Sequence, residues 1–248
     1  MLLPNCVIPI HKEKRGRLES FGSGVLLRAL EYRMMVSAAH VLLDDPLWLP
    51  GKPRFVPLDS AGRVFATCPD LDAAKKDRAD LAYTVLEETA AEALEAQGCE
   101  FLSIAQTSFG KAFPRPERWI FSGYPWRKSN NRVVGQIVNT RMDVMERAIP
   151  DEDLADFDLD ARLHVAMHYA RKKMQHEGRR VIGALPHGMS GGAIWLVGQD
   201  SAPIVVAIAT SYDSGKKVMS GTRINPLLFR IRDELQADMK RRGIAPPE

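Results

Sequence analysis

The sequence predicts an all-β protein of two consecutive β-barrels closed by one C-terminal helix. Short apolar or alternating runs bounded by Gly, Pro and Asp recur along the chain, the second half repeats the strand spacing of the first, and helix-forming patterns are confined to residues 87–98 and 225–242. In order, the string Phe21-Gly22-Ser23-Gly24-Val25-Leu26-Leu27 within Ser20 to Leu30 reads as a strand, and Tyr32 to Ala39 as its hairpin partner, with His40 just beyond. Strand candidates over Pro53 to Leu58, Arg63 to Cys68 and Leu81 to Leu86 complete a first unit, residues 1–98. Residues 87–98 hold strong helix formers and end in Gly98, which makes them a helical connector. The second unit, residues 99–248, has strand candidates at Arg118 to Tyr124, Arg132 to Thr140, Leu163 to Ala170, Ala193 to Val197, Ile204 to Thr210 and Val218 to Ile224. Asn225 and Pro226 read as the N-cap and first residue of a helix through Leu227, Leu228, Ile231, Leu235 and Met239. One segment departs from the barrel pattern: residues 143–160 carry eight acidic residues and one basic one, Arg147, and read as an exposed, solvated insertion.

Composition narrows the function classes. A chain of 248 residues with 45% hydrophobic and 26% charged residues can bury a substantial core. Its formal net charge of +3 is small and its Lys and Arg are scattered, so neither nucleic acid nor a membrane surface is an expected partner. No window approaches about 18 uninterrupted apolar residues, the length a spanning helix requires. The stretch from Met1 to Arg17, broken by Pro4, Asn5 and Pro9 and followed by the charged run His11 to Arg15, has no signal-peptide core. Cys6, Cys68 and Cys99 are odd in number and widely spaced, which fits reduced thiols. The expected setting is the cytoplasm.

The sharpest chemical signal is Pro186-His187-Gly188-Met189-Ser190-Gly191-Gly192-Ala193-Ile194-Trp195, a serine in a glycine-rich turn that runs into an apolar strand. Such a turn can aim Ser190 outward while the N–H groups at Gly188, Met189 and Ser190 surround the oxygen that becomes negative in acyl transfer, those of Gly188 and Ser190 converging on it. A serine hydroxyl also requires a base, and the base an orienting carboxylate. Chain order restricts the choices. Gly-x-Ser-x-Gly over residues 188–192 matches the α/β-hydrolase elbow, whose order is serine, acid, histidine, yet no histidine follows Ser190. An aspartate-first order fails for His40, because the first aspartate is Asp44. The order left is histidine, aspartate, serine.

Four motifs then resemble the trypsin-like serine peptidase superfamily, in particular its bacterial members without disulfides. Val36-Ser37-Ala38-Ala39-His40-Val41 resembles the alanine-histidine motif and Arg78-Ala79-Asp80-Leu81-Ala82-Tyr83 the aspartate-leucine-alanine motif. Gly188-Met189-Ser190-Gly191-Gly192 resembles the nucleophile motif, and Phe21-Gly22-Ser23-Gly24-Val25 the strand that opens the first barrel. The resemblance spans about Phe21 to Leu235. It implies two six-stranded antiparallel β-barrels with the site in the cleft between them, His40 and Asp80 on the first and Ser190 on the second. It further implies His40 as general base, Asp80 as its orienting carboxylate, Ser190 as nucleophile, a protein or peptide substrate, and neither cofactor nor metal. The residue six before the serine, which floors the specificity pocket in many relatives, is Ala184, so cleavage after Lys or Arg is not expected. Thr210, Ser211 and Tyr212 are expected along the pocket wall. Secreted relatives place an aspartate before the serine to pair with an N-terminus freed by proteolysis; Met189 stands there, and that route of activation is not expected.

Other constellations carry bland readings. His164 and His168 have the spacing of a helical zinc pair, but Val165 occupies the position of a metalloprotease glutamate, so packed or surface histidines are expected, sharing one face if in a strand. Asp77 rivals Asp80, and the strand pattern after Asp80 favours the latter. His187 is near enough to Ser190 to contact substrate, although such a loop position more often has a solvent or structural role. Trp119, Trp126 and Trp195 are expected in the core or at a barrel rim. The competing function is a proteolytically silent binding module that kept the fold. For a lone peptidase domain, control by a regulatory protein partner is expected.

Overall fold

The computed structural model describes residues 3–51, 55–58, 64–111, 116–126, 130–133, 136–176, 179–198 and 202–243. The first sheet is built from β1 (Val7–Lys14), β2 (Arg17–Ala29), β3 (Tyr32–Ala38), β4 (Leu47–Leu49), β5 (Val56–Pro57), β6 (Val64–Ala66), β7 (Leu81–Val85) and β8 (Leu102–Ser103). Its strand order is β5-β4-β1-β2-β3-β7-β6, antiparallel throughout, with β8 added parallel to β2. Short helices α1 (Ala39–Leu42), α2 (Leu71–Ala74) and α3 (Glu88–Glu95) lie in its connections, and Gly98 follows α3 at φ +79°, a conformation open to glycine without strain. Past β8 come β9 (Arg118–Gly123), the hairpin β10 (Asn130–Val133) and β11 (Gln136–Val138), then β12 (Met142–Arg147) and β13 (His164–His168). The hairpin β14 (Met174–His176) and β15 (Arg179–Val181) precedes β16 (Ala193–Leu196), β17 (Ile204–Asp213), β18 (Val218–Arg223) and the helix α4 (Asn225–Arg241). The second sheet has six strands in the order β12-β9-β16-β17-β18-β13, five of them among those expected and β12 not, while the first has eight where six were expected. A bridge between Ala148 and Met167 links the second sheet's two edges into a barrel.

Four expectations are adjusted. The N-terminal stretch is a strand, β1, with Val7, Ile8 and Ile10 buried. Pro9 is compatible with it because β4 pairs only with His11 and Lys12, leaving Pro9 where no second donor is needed. The acidic stretch begins as β12, whose Met142 and Val144 point inward while Asp143 and Met145 point out. Beyond it Asp151–Phe157 forms 3₁₀ turns pinned by a fully buried Leu154, so the insertion is not wholly a solvated loop. The strand expected over Arg132 to Thr140 is instead the β10–β11 hairpin, with residues 134 and 135 outside the described set; residues 53, 54 and 63 of two other expected strands also lie outside it. Asn225 is the first residue of α4 rather than its cap, and its Oδ1 accepts from Ser108 Oγ at 2.6 Å.

The sheets share a core. Leu26, Val36, Leu42 and Tyr83 from the first belong to one apolar cluster with Ala193, Trp195, Val205 and Ile208 of the second and with Leu227, Leu228 and Ile231 of α4. Tyr83 Oη also donates to the Glu234 carboxylate on α4, which with burial pushes its phenol well above the usual range. Trp195 is fully buried and its indole N–H donates to Ser122 Oγ at 2.9 Å, whereas Trp126 is 48% exposed at the barrel rim. The three cysteines are unpaired, and burial pushes the Cys6 thiol up to about 12. Among the described residues no helix is long and apolar enough to cross a membrane.

His11 on β1 is fully buried, edge-on to Phe55, with Asn139 Nδ2 2.8 Å from its Nε2. Burial lowers its pKa from 6.5 to about 4. The unfolded chain therefore binds a proton that the folded chain refuses between these values, so stability is complete above pH 6.5 and is lost as the pH falls. At pH 4.5 the loss from this group is about 2–3 kcal/mol relative to pH 7. Urea unfolding at the two pH values measures it: His11→Gln should reduce the difference by that amount, and an unchanged difference would refute the assignment.

Candidate active site

Three polar side chains fix the turn that bears Asp80: exposed Thr67, half-buried Asp77 and buried His164. Asp77, the rival carboxylate, accepts from the N–H of Ala79 at 3.1 Å, from the N–H of Asp80 at 3.0 Å and from Thr67 Oγ1 at 2.5 Å. Three of its acceptor positions hold the turn, which makes Asp77 a support for Asp80. Thr67 in addition accepts from the N–H of Leu81 at 3.0 Å, fixing the start of β7. From the second sheet, His164 places Nε2 2.7 Å from the carbonyl oxygen of Arg78, while its Nδ1 accepts from the N–H of Asp160 at 3.0 Å. Its Nδ1 also lies 3.1 Å from the Asp160 carbonyl oxygen, so both ring nitrogens of His164 are engaged by backbone groups. His168 shares the strand but is exposed, and among the described residues no group of His, Cys, Asp or Glu could hold a metal ion.

Held this way, Asp80 adopts φ +44°, a left-handed conformation that aspartate tolerates better than most residues. Its carboxylate, 8% exposed, faces α1: Oδ1 accepts from the backbone N–H of His40 at 2.9 Å and Oδ2 lies 2.6 Å from His40 Nδ1. The short bond is that of a charge-assisted pair, with Nδ1 as donor. It fixes the tautomer that leaves Nε2 as the accepting nitrogen. This bond joins His40 and Asp80, 40 residues apart in sequence.

Ser190 sits in a turn of unusual order. Five successive carbonyls are each engaged: Pro186 by the N–H of Met189 at 2.9 Å, His187 by the N–H of Trp126 at 2.7 Å, Gly188 by Ser23 Oγ at 2.9 Å, Met189 by the N–H of Gly192 at 2.9 Å, and Ser190 by the N–H of Ser23 at 2.8 Å. Gly191 N–H donates to the Ala209 carbonyl at 2.7 Å. Among the described residues the N–H groups of Gly188 and Ser190 donate to nothing. The expected pair of backbone donors is therefore available beside Ser190, whereas Met189 N–H is consumed within the turn. Met189 itself is 1% exposed and packs in the second core cluster. A carboxylate there would be buried without a partner, at a cost of several kcal/mol.

Two glycines of this turn combine a left-handed φ with close backbone contact. A Cβ on Gly191, at φ +87°, would lie 1.9 Å from the Ser23 carbonyl oxygen and 2.0 Å from Ser37 Oγ. One on Gly188, at φ +91°, would lie 2.7 Å from the Tyr124 carbonyl oxygen. The turn that bears Ser190 thus packs backbone against backbone at Gly188 and Gly191, the latter onto β2.

The two halves of the site adjoin. A Cβ on Gly22 would touch both Val41 of α1 and the Ser190 carbonyl oxygen. A cleft of about 130 Å³ beside Ser190 is lined by His187, Met189, Ala209, Tyr212 and Met219, and one of about 360 Å³ beside His40 and Asp80 by Arg78, Leu159 and His164; Thr210 and Ser211 line both. Ser190 Oγ makes no hydrogen bond to His40 among the described residues. Ala184 lines neither cleft: its carbonyl accepts from Tyr169 Oη at 2.7 Å and it packs against the second core cluster. Met219, the register partner of Tyr212, stands in the cleft instead. The larger cavity of about 520 Å³ lies away from these residues, between Arg118, Arg147 and Ile149. Sequence reasoning missed Ser23, Thr67, His164 and Met219; of these only Ser23, set between two glycines in the opening strand, had a local signal.

No family model matches the chain, and no curated protein matches its sequence. Solved structures do match its fold. A thermostable serine protease, AL20, from an extremophilic microorganism superposes with a TM-score of 0.57 at 13% identity, over 94% of this chain and 97% of that one. GrC superposes with a TM-score of 0.56 at 16% identity, over 94% of each chain. Two curled antiparallel sheets, a C-terminal helix and these superpositions give the chain the trypsin-like double-barrel fold.

Proposed function

We propose that the protein is a serine endopeptidase acting on protein or peptide substrates, with a cytoplasmic setting in keeping with its three unpaired thiols. In this reading Ser190 attacks the scissile carbonyl while His40 Nε2 takes the hydroxyl proton. Asp80 stabilises the imidazolium through the 2.6 Å bond, and the N–H groups of Gly188 and Ser190 receive the oxyanion. His40 then returns the proton to the leaving amine, and water repeats the cycle on the acyl-enzyme. The observation that carries the reading is the pairing of His40 with Asp80 beside a serine turn whose carbonyls are all engaged and whose N–H groups at Gly188 and Ser190 donate to nothing among the described residues. A regulatory protein partner remains part of the proposal.

A second reading has one observation in its favour. The missing His40–Ser190 hydrogen bond suits a binding module that kept the fold without the chemistry. Free enzymes often hold this bond long and close it only around substrate, so the peptidase reading stands first.

A fluorophosphonate probe on the folded protein separates the two. Wild type should be labelled and Ser190→Ala should not, while Asp80→Asn should slow labelling by about 10⁴-fold, the scale of losing the correct imidazole tautomer. Folded wild type that resists the probe would leave only the binding module. Substrate choice follows from the cleft at Ser190, which no charged residue lines among those described. A buried, unpaired substrate charge is costly, and Tyr212 with Met219 shortens the space. Peptide-library profiling should show short, uncharged side chains before the cleaved bond; dominant cleavage after Lys, Arg, Asp or Glu would contradict this.

A further inference from the structure

The donors at Gly188 and Ser190 are useful only if the turn cannot rotate its peptides, because a flipped 187–188 peptide would put a carbonyl where the oxyanion must go. A planar trans peptide points each N–H opposite the preceding carbonyl. The direction of Gly188 N–H is therefore set by what holds the His187 carbonyl, which is the N–H of Trp126. The segment that supplies this N–H is held by Ser23: its hydroxyl accepts from the N–H of Tyr124 at 2.9 Å and donates to the carbonyl of Gly188 at 2.9 Å. The N–H of Ser23 donates to the Ser190 carbonyl at 2.8 Å, and its own carbonyl accepts from Ser37 Oγ at 2.7 Å. Ser23 is completely buried on β2 and Ser37 completely buried on β3. One residue of the first sheet thus touches three parts of the second: the end of β9, the glycine before the nucleophile and the nucleophile's own carbonyl.

Resting on the peptidase reading, we infer that Ser23 is a positioning residue whose hydroxyl, bridging Tyr124 N–H and the Gly188 carbonyl, keeps the oxyanion donors of Gly188 and Ser190 directed at the reacting carbonyl without an acidic neighbour to the nucleophile. Where Met189 stands there is no charge to hold the turn from within, and the constraint comes from the facing sheet. Removing the hydroxyl leaves the Gly188 carbonyl and the Tyr124 N–H without partners in a buried place. The peptides on either side of Gly188 can then exchange orientations, and the fraction of molecules with both donors in place falls. The serine, the histidine and the cleft that takes the side chain before the cleaved bond are untouched.

The test compares fluorophosphonate labelling rates and thermal midpoints of wild type, Ser23→Ala and Ser23→Thr. Loss of one such donor outright lowers turnover by about 10²–10³-fold, so partial loss of alignment in Ser23→Ala should slow labelling about tenfold or more while the cooperative melt is kept. Ser23→Thr, which retains the hydroxyl, should restore most of the rate, a recovery that a purely packing role would not give. If Ser23→Ala does not melt cooperatively, Ser23→Cys takes its place, because it fills the volume with a weak donor and should be slow as well. Equal labelling of wild type and the hydroxyl-less variant overturns the positioning role and leaves the peptidase reading in place. Folded wild type that is not labelled at all overturns both.

Discussion

The structure depends on hydrogen bonding carried across the seam between its two sheets. Within each sheet the ladders are self-sufficient, but the nucleophile turn is not: its carbonyls from Gly188 and Ser190 end on Ser23, and its glycine at 191 lies against the Ser23 and Ser37 oxygens. Ser23 and Ser37 are both fully buried at this seam. An unmade hydrogen bond there costs about 1–3 kcal/mol rather than being exchanged for water. Each sheet consequently fixes the other's register near the site, and the shared apolar cluster that includes Trp195 and α4 keeps the two from sliding apart.

The same logic governs the opposite side of the cleft. Asp80 is held in a left-handed turn by Asp77 and Thr67 from its own sheet and, through Arg78, by His164 from the other. A carboxylate placed this firmly loses little freedom when it pairs with His40, so its 2.6 Å bond is not offset by ordering costs. Both halves of the site are therefore held by hydrogen bonds from neighbouring residues. That is where an enzyme operating by transition-state electrostatics requires its rigidity.

Much of this was legible in the sequence because the informative residues are local. The hairpin through Phe21 and Ala38 shows as alternation with a turn, and His40, Asp80 and Ser190 each stand at the end of an apolar run. What escaped was set by context. β1 was hidden by Pro9 and by the charged run after Ile10, although Pro9 faces no second strand and His11 is buried neutral. β12 was hidden by counting acids instead of following the alternation of Met142 and Val144. In sequence His164 reads as a packed or surface histidine, but its partner, the carbonyl of Arg78, is a backbone group 86 positions away that no side-chain pattern reveals. Met219 lines the cleft only through its register with Tyr212, which is a property of the folded sheet.

A crystal structure of the protein after reaction with a fluorophosphonate tests the central claim most directly. The account predicts phosphorus bonded to Ser190 Oγ, with the phosphonyl oxygen about 2.7–3.1 Å from the N–H groups of both Gly188 and Ser190 and the Ser23 hydroxyl still on the Gly188 carbonyl. An adduct on another residue, or a phosphonyl oxygen turned away from these two donors, would contradict it.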